Sequence, residues 1–444
     1  MKKIILILLC FMFINLNVSA KSVKKDFSTV IKDSGVDVES ISVSIKNATN
    51  GKTIYTLNDK ILMNPASVQK ILTTPVIYDT LGEDYSFNTS LYQRDENTYI
   101  LKLGADPYLK TEDLKTLVKN ISPEIKKLYI DDSILDNKTW GEGWQWDDDM
   151  NILMPRFSSY NLDKNLIKLT ILPDKNGQFA TIINPSKYPL VFFNHIKSGN
   201  KTDLNIHRDN TISANTLMME GTIARATTVY IPTNSLQKYF ILQLTKALEE
   251  RNIYLKQPIT TGSVKPDDIL KQEITHDINK AVEDILKSSN NLMSETLFKI
   301  SGARHCNLKT GTDASGLKMF NDYCIKNKID NSRIRITDAS GVSKNNLVSA
   351  DFVTEFLVAN NDNKIMEKLP SPSEGTLTHR MLVLKDNLKA KTGTLADNST
   401  IAGYLTTKKG KKLVFCIMIN DMQLSSSDKK MLEDFIIREA YLQL

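Results

Sequence analysis

Alternating apolar residues near the start of the chain predict a β-hairpin. Ile41, Val43 and Ile45 repeat with the period of two that marks one face of a strand. An Asn-Gly pair at residues 50–51 follows, and this pair favours a tight turn between two strands. Residues 53–57 then supply the returning strand.

The next apolar pattern predicts a helix that stops at Gly82, because glycine is the commonest residue just after a helix C-terminus. Ser67 and Lys70 lie three residues apart near its start, and therefore on one face. A lysine can take the proton of a serine hydroxyl when its surroundings depress its pKa. The pair is a candidate nucleophile with its base.

After Gly82 the sequence pattern changes to short predicted strands separated by turn residues. These runs cover residues 99–103, 127–130, 167–172, 180–183 and 228–231. Helical spacing resumes at residues 236–248 and 278–300, and the chain ends with strands at 400–405 and 413–419 and a helix at 430–444. We therefore predict a core domain formed by residues 21–83 and 233–444, interrupted by a β-rich insertion at 84–232.

The length of 444 residues and the 41% hydrophobic content allow more than one core. Two lysines, an apolar run at residues 4–14 and small residues up to Ala20 predict a signal peptide at 1–20 that is cleaved on export. The apolar run is shorter than the ~20 residues that a membrane-spanning helix requires. We expect an exported, periplasmic or extracytoplasmic protein.

Charge and histidine content exclude some classes of function. The formal net charge is +6, but the basic residues are scattered along the chain. The sequence therefore does not predict a nucleic-acid-binding surface. The five histidines are dispersed without the spacing of metal ligands. We expect neither a metal site nor a cofactor.

Three cysteines remain after export, so at most one internal disulfide can form. Cys416 lies in an apolar strand pattern, where a buried free thiol is the ordinary outcome. Cys306 and Cys324 are the pair that we expect to be bridged.

The Ser-x-x-Lys spacing of Ser67 is weak by itself, because it recurs in this chain at six other serines, namely Ser22, Ser198, Ser235, Ser315, Ser426 and Ser427. Two distant motifs strengthen it, Ser289-Asn290-Asn291 and Lys391-Thr392-Gly393. Together the three form the motif set of penicillin-interacting serine enzymes.

Two ambiguities accompany these motifs. Ser288 with Asn290 satisfies the second motif in another register, although Leu292 and Glu295 favour Ser289 with Asn291. The triplet at residues 309–311 repeats Lys-Thr-Gly, but a helical pattern follows it, and we interpret it as a helix-entry loop.

The chain resembles the larger D-alanyl-D-alanine carboxypeptidases and endopeptidases, which carry a long insertion between the first two motifs. Four more stretches agree: Gly104-Ala105-Asp106-Pro107, Gly143-Trp144-Gln145-Trp146-Asp147-Asp148, Asp338-Ala339-Ser340-Gly341-Val342-Ser343 and Gly375-Thr376-Leu377. The resemblance implies an α/β (α+β) fold of the transpeptidase/β-lactamase type. In this fold an antiparallel sheet is flanked by helices, and two small domains are nested in the insertion.

The resemblance also implies catalytic roles. Ser67, deprotonated by Lys70, attacks the carbonyl between two D-alanines. Ser289 relays a proton to the leaving amine, and Asn291 holds Lys70 or the substrate amide. Lys391 binds the C-terminal carboxylate and helps to keep the amine of Lys70 neutral.

Further residues are assigned to substrate binding. Thr392 and Gly393 lie on the cleft strand, where glycine lets the substrate backbone approach, and the Thr394 N–H helps to hold the oxyanion. Asp148 faces the amine end of the peptide side chain, although an exposed acidic run explains it as well. Lys344 stands where related enzymes often have arginine.

The implied partners are peptidoglycan stem peptides and β-lactam antibiotics, which inhibit such enzymes covalently. The sequence does not separate carboxypeptidase from endopeptidase activity. It leaves open a homodimer and a loose association with the membrane. A β-lactamase and a non-catalytic peptidoglycan-binding protein are the alternatives. Trp144 and Trp146 are interpreted as packing residues.

Overall fold

The structure is a computed structural model that describes residues 29, 31, 33–174 and 179–444. The predicted signal peptide at residues 1–20 lies outside the described residues. In the described part, no helix is both long enough and apolar enough to cross a membrane.

The α-helices include α1 (Gln69–Leu81), α2 (Thr111–Leu117), α3 (Leu236–Glu249), α4 (Ile278–Lys287), α5 (Asn291–His305), α6 (Asp313–Lys326), α7 (Ala350–Ala359) and α8 (Ser426–Gln443). The strands include β1 (Ile41–Asn47), β2 (Thr53–Leu57), β3 (Ser86–Asp95), β4 (Thr98–Lys102), β5 (Glu124–Ile125), β6 (Lys127–Asp131), β7 (Leu166–Leu172), β8 (Thr181–Ile183), β9 (Val191–Ser198), β10 (Asp203–Arg208), β11 (Thr216–Ile223), β12 (Thr227–Pro232), β13 (Tyr254–Leu255), β14 (Thr260–Thr261), β15 (Ile269–Asp277), β16 (Leu388–Thr394), β17 (Asn398–Thr406) and β18 (Lys412–Asn420).

The two ends of the chain form one antiparallel sheet in the order β16-β17-β18-β1-β2. The predicted hairpin of β1 and β2 is confirmed, and the two strands predicted near the end of the chain, β17 and β18, pair antiparallel. Strand β18 is buried on both faces, which explains its nearly continuous apolar run. Phe415 and Ile417 belong to the cluster with α8, and Cys416 and Met418 belong to the cluster with α1 and α4–α7. Helices therefore flank the sheet, as expected.

The insertion has a hydrophobic core of its own. A five-stranded sheet in the order β14-β6-β4-β3-β15 and two three-stranded sheets, β12-β7-β8 and β10-β11-β9, belong to it. The five predicted strand patterns correspond to β4, β6, β7, β8 and β12. The division of the insertion into two small domains stays a prediction.

The predicted end of the insertion at residue 232 does not match the contacts. Strand β15 pairs with β3, and Phe240 and Leu244 of α3 are buried in the core of the insertion. After α3, the next buried residue of the core around α1 is Ile278 of α4, although Phe87, Ala105 and Leu135 of the predicted insertion also belong to that core. Helical spacing showed that α3 has one apolar face, but it could not show which core that face packs against. Most side chains of β15 are exposed or half-buried, so this strand left no apolar pattern.

The expected disulfide is wrong, because Cys306 and Cys324 are both free thiols. Cys306 lies just after α5, and its sulfur is 3.9 Å from the carbonyl oxygen of Ser315 near the start of α6. Cys324 lies nine residues farther along α6, about 13 Å at the usual helical rise. A disulfide requires Cα atoms within ~7 Å. Cys416 is a buried free thiol, as predicted.

Thiol titration checks this assignment. The exported chain, purified and denatured without reductant, should react with three equivalents of a thiol reagent, because all three cysteines are free. A reduced and denatured sample serves as the control. A single reactive thiol before reduction and three after it would contradict the assignment.

Candidate active site

A short 3₁₀ turn, Ala66–Val68, leads into α1 and carries Ser67. Val68, Ile71 and Leu72 are fully buried, so the apolar face of the helix fixes the position of the half-buried serine. Gly341 backs the turn, since a Cβ there would lie 1.8 Å from the carbonyl oxygen of Ala66. The turn is thus held from both sides.

Lys70 is fully buried and has three polar partners. Its Nζ lies 3.0 Å from Ser67 Oγ, 2.6 Å from Asn291 Oδ1 and 2.6 Å from the carbonyl oxygen of Ser340. Burial lowers its pKa to about 7, although the nearby carboxyl groups of Asp338 and Glu295 oppose this shift. Part of the population therefore carries a neutral amine near neutral pH.

The geometry directs the lone pair of that neutral amine. Asn291 Oδ1 and the Ser340 carbonyl can only accept hydrogen bonds, so they take the two N–H groups that remain. The amide of Asn291 is oriented by its Nδ2, which donates to the carbonyl oxygen of Leu153 at 2.8 Å. The lone pair is left facing the hydroxyl of Ser67, which is the arrangement that proton removal requires.

The second motif occupies a break between two helices. The sequence predicted helical structure across residues 278–300, but α4 ends at Lys287 and α5 begins at Asn291. Ser289, with φ 58°, lies in the connection, and the Asn290 side chain caps α5 by accepting from the Met293 N–H. Of the two registers left open by the sequence, this geometry favours Ser289 with Asn291.

The third motif lies on the edge strand β16, where Lys391 is fully buried. Its Nζ is 2.9 Å from Ser289 Oγ and 2.9 Å from the carbonyl oxygen of Thr392. Burial, together with the charge of Lys70, holds the pKa of Lys391 well below its ordinary value. Ser289 thus connects the second motif to the third.

Gly393 marks the closest approach of β16 to the serine turn. A Cβ at this position would lie 2.8 Å from the backbone nitrogen of Ser67 and 2.3 Å from Thr400 Oγ1. The sequence assigned this glycine to close approach of the substrate, and the structure adds a close approach to the nucleophile itself. Thr392 is nearly buried, whereas Thr394 at the end of the strand is exposed.

The second Lys-Thr-Gly triplet lies apart from these residues. Gly311 forms a backbone bridge with Leu135, and Thr312 caps the start of α6. Lys309 is exposed, and its Nζ contacts Ser263 Oγ. Its interpretation as a helix-entry loop is confirmed. Residues 33–174 and 179–444 contain no group of three His, Cys, Asp or Glu side chains placed to bind a metal.

A loop of the insertion borders the site. Asp148 lies in a 3₁₀ turn, Trp146–Met150, and burial together with Asp147 raises its pKa, while Lys344 acts in the opposite direction. The Lys344 ammonium is 3.7 Å from Asp397, and its backbone N–H donates to the Gly143 carbonyl. Asp148 and Lys344 therefore lie near one another, on loops that meet.

The two tryptophans of this loop differ. Trp144 is buried and its Nε1 donates to Asp338 Oδ2 at 2.9 Å, so its packing role is confirmed. Trp146 is 82% exposed, and the prediction that it packs is wrong. Trp146 begins a single 3₁₀ turn, and so short an element has no apolar periodicity that would show whether its side chain faces the core or the solvent.

One feature of the site was missed from the sequence. It is the Ser340 carbonyl, a backbone acceptor 270 residues away from Lys70. The only signal near it was the recurrence of Asn291, Glu295 and Lys299 every four residues in a largely buried helix.

Known proteins share this arrangement of the chain. A family model described as the D-Ala-D-Ala carboxypeptidase 3 (S13) family matches residues 23–439. The chain belongs to this family. As a member of the S13 family, it is a serine peptidase of the D-Ala-D-Ala carboxypeptidase class.

Curated relatives cover most of the chain. A D-alanyl-D-alanine carboxypeptidase from an Actinomadura strain is 22% identical over an alignment of 437 residues that covers 89% of this chain and 80% of the relative. The D-alanyl-D-alanine carboxypeptidase DacB of Haemophilus influenzae is 24% identical over an alignment of 428 residues that covers 87% of this chain and 86% of the relative.

Solved structures show the fold. Penicillin binding protein 4 (dacB) from Haemophilus influenzae superposes with a TM-score of 0.81 at 21% identity, covering 94% of this chain and all of that chain. The same protein complexed with a β-lactam gives a TM-score of 0.76 at 20% identity, with the same coverage of both chains. The expected transpeptidase-like fold is confirmed.

Gly393→Ala tests the contact between β16 and the serine turn. The added methyl group would displace the Ser67 backbone, and a displacement of about 1 Å can lower a rate ~100-fold. We expect a loss of that size in the rate of acylation by penicillin, measured by stopped-flow fluorescence or rapid-quench mass spectrometry. Gly410→Ala is the control for backbone strain alone: its added methyl group would meet no other residue within 4 Å, but its φ of 76° disfavours alanine, so it should lower stability without changing the acylation rate. An unchanged rate in Gly393→Ala would contradict the contact.

Proposed function

We propose that the chain hydrolyses the bond between two D-alanines of peptidoglycan stem peptides through an acyl-enzyme on Ser67. The single observation that carries the proposal is the fully buried amine of Lys70, 3.0 Å from Ser67 Oγ. Its pKa of about 7 makes it a base at neutral pH. Membership of the S13 family of D-Ala-D-Ala carboxypeptidases supports cleavage of the same bond.

Acylation follows from these contacts. Lys70 removes the hydroxyl proton as Ser67 Oγ bonds to the carbonyl carbon of the penultimate D-alanine. The C–N bond then breaks, and the terminal D-alanine leaves after its nitrogen gains a proton. We propose that Ser289 passes the proton from Lys70 to that nitrogen: Lys391 Nζ donates to Ser289 Oγ at 2.9 Å, which leaves the Ser289 hydroxyl proton free to be given to the leaving group. Water finally cleaves the ester and restores the free serine.

The negative oxygen formed during attack requires two hydrogen-bond donors. We propose the backbone N–H groups of Ser67 and Thr394 for this role. The strand that carries Thr394 passes beside the serine turn, as the Gly393 contact with the Ser67 nitrogen indicates. Two N–H groups from adjacent segments would then converge on one oxygen.

Lys391, Thr392 and Gly393 would bind the C-terminal end of the substrate. The D-alanine carboxylate supplies a negative charge, which would restore the cationic form of Lys391. That cation beside Lys70 would in turn keep the general base neutral. Substrate binding and base activation are thereby linked through two buried lysines.

Asp148 and Lys344 would recognise the side chain of the stem peptide. Asp148 is partly exposed at the rim, and its carboxylate fits the amine end of such a side chain. Lys344 lies close enough to act on the Asp148 charge. A lysine here offers a single point charge, whereas an arginine would offer a planar pair of donors.

The proposal places the enzyme outside the cytoplasm. Its substrate is a polymer of the cell wall, and the start of the sequence predicts a cleaved signal peptide. β-Lactams resemble the D-Ala-D-Ala terminus, and the H. influenzae structure complexed with a β-lactam supports β-lactam binding here, which attack by Ser67 would make covalent.

Intact mass after incubation with penicillin tests the nucleophile. The wild-type protein should gain the mass of one penicillin, and Ser67→Ala should gain none. The folded state of both proteins is checked by circular dichroism. An unmodified wild type with intact drug would contradict the proposal, and rapid destruction of the drug would identify a β-lactamase instead.

Digestion of defined muropeptides then separates the two peptidase activities. Release of D-alanine from a pentapeptide monomer reports carboxypeptidase activity, and conversion of a cross-linked dimer to monomers reports endopeptidase activity. Ser67→Ala is the control for both reactions.

A further inference from the structure

A polar cavity of about 450 Å³ lies in the part of the chain that forms the insertion. Its volume falls within the range of ~300–1,000 Å³ that is usual for sites that bind small molecules. Both signs of charge occur in its lining, which includes Arg156, Asp132 and Asp136. The proposed mechanism of peptide cleavage uses none of these three residues.

Arg156 is half-buried, and its hydrogen-bond donors are unused. Its guanidinium makes no hydrogen bond or salt bridge to the described residues, and it lies over the Trp140 ring, 5.1 Å from the ring centroid. Asp149 acts on it only through its charge, since the Asp149 carboxylate pairs with Arg208 Nε at 3.0 Å. Burial lowers the pKa of Arg156, yet an arginine stays cationic in proteins. A half-buried cation without a partner is costly, so this site favours an anionic group.

Asp132 supplies the opposite charge. It is half-buried, and its Oδ2 accepts from the Tyr160 hydroxyl at 2.8 Å. It forms no salt bridge with a basic group in the described part of the chain. Asp136 differs, because Lys299 Nζ lies 2.7 Å from its Oδ1. Asp132 is therefore the carboxylate of the cavity that is available to a cationic group.

We propose that this cavity binds a group with a carboxylate and an ammonium on one carbon atom, as in an amino acid. The carboxylate would bind the Arg156 guanidinium, whose planar shape allows two parallel hydrogen bonds. The ammonium would bind Asp132. A simple anion is disfavoured, because Asp132 would repel it and would itself stay unpaired.

Two sources of such a group are compatible with this enzyme. One is a free D-amino acid, such as the D-alanine that the proposed reaction releases. The other is a stem peptide whose side chain ends in an amine and a carboxylate on one carbon, as in diaminopimelate. The second source rests on the proposed function, whereas binding of a free amino acid does not.

A short segment joins the cavity to the catalytic site. The Leu153 carbonyl oxygen accepts from Asn291 Nδ2 at 2.8 Å, and Arg156 follows three residues later. Three residues of extended chain span at most ~11 Å. Met154 and Pro155 between them are buried, which fixes the segment. A stem peptide bound beside Asn291 is thus long enough to extend to Arg156.

Fluorine NMR of the protein labelled with 5-fluorotryptophan tests the site. The chain has three tryptophans, and each signal is assigned by replacing one of them with phenylalanine. Trp140 lies beneath Arg156 and reports on the cavity, whereas the exposed Trp146 reports on the loop that borders the catalytic site. The Ser67→Ala protein is used, so that no ligand is hydrolysed. We expect D-alanine, or the tripeptide L-Ala-γ-D-Glu-meso-diaminopimelate, to shift the Trp140 signal saturably.

Substitutions of the two charged residues test how the ligand is held. Arg156→Gln and Asp132→Asn each remove one charge at similar size, and each should raise the Kd at least ~10-fold. Arg251→Gln removes an exposed arginine that does not line the cavity, and it should leave the Kd unchanged. Circular dichroism checks the fold of each variant. If Arg156→Gln does not fold, Asp132→Asn decides.

The two ligands also identify the source. A response to D-alanine assigns the site to free amino acids, and a response to the tripeptide alone assigns it to stem peptides. Three results would overturn the inference: no shift of the Trp140 signal, a Kd that both substitutions leave unchanged, or equally tight binding of inorganic phosphate. Failure of the proposed function is separate, because it would appear as a wild-type protein that penicillin does not acylate at Ser67.

Discussion

A lysine amine buried beside a serine hydroxyl is the constraint on which the rest of the site depends. An ammonium group loses its hydration on burial, so burial lowers the pKa of Lys70 to about 7. Burial alone would leave the direction of the lone pair undefined. Asn291 of α5 and the carbonyl oxygen of Ser340 accept the two N–H groups of the neutral amine, so its lone pair faces the hydroxyl of Ser67.

The fold places the residues around the buried amine of Lys70. The 3₁₀ turn before α1 carries Ser67, the first turn of α1 carries Lys70, and the apolar side chains of α1 are buried against α4–α7 and the central sheet. A break between α4 and α5 brings Ser289 to the edge strand, where Lys391 lies. The insertion contributes from outside, because Trp144 anchors its loop to Asp338 and thereby brings Asp148 to the rim.

Much of this could be predicted from the sequence. The residues within each motif lie three or fewer positions apart, so each motif can be recognised locally, and strong apolar periodicity marks strands and helices. A contact between a side chain and a distant backbone group leaves no such pattern. The hydrogen bond from Lys70 to the Ser340 carbonyl was therefore missed. Helix α3 showed its apolar face but not the core to which it belongs. The distance between Cys306 and Cys324 likewise depends on where α6 runs.

The most direct test of the account is the rate constant for acylation of Ser67 by penicillin as a function of pH. The account predicts a rate that rises with pH through about 7, because the protonated amine cannot accept the serine proton. Lys70→Arg, which stays cationic, should not be acylated at any pH in this range. A rate constant that is unchanged between about pH 5.5 and about pH 8.5 in the folded wild type would contradict the account.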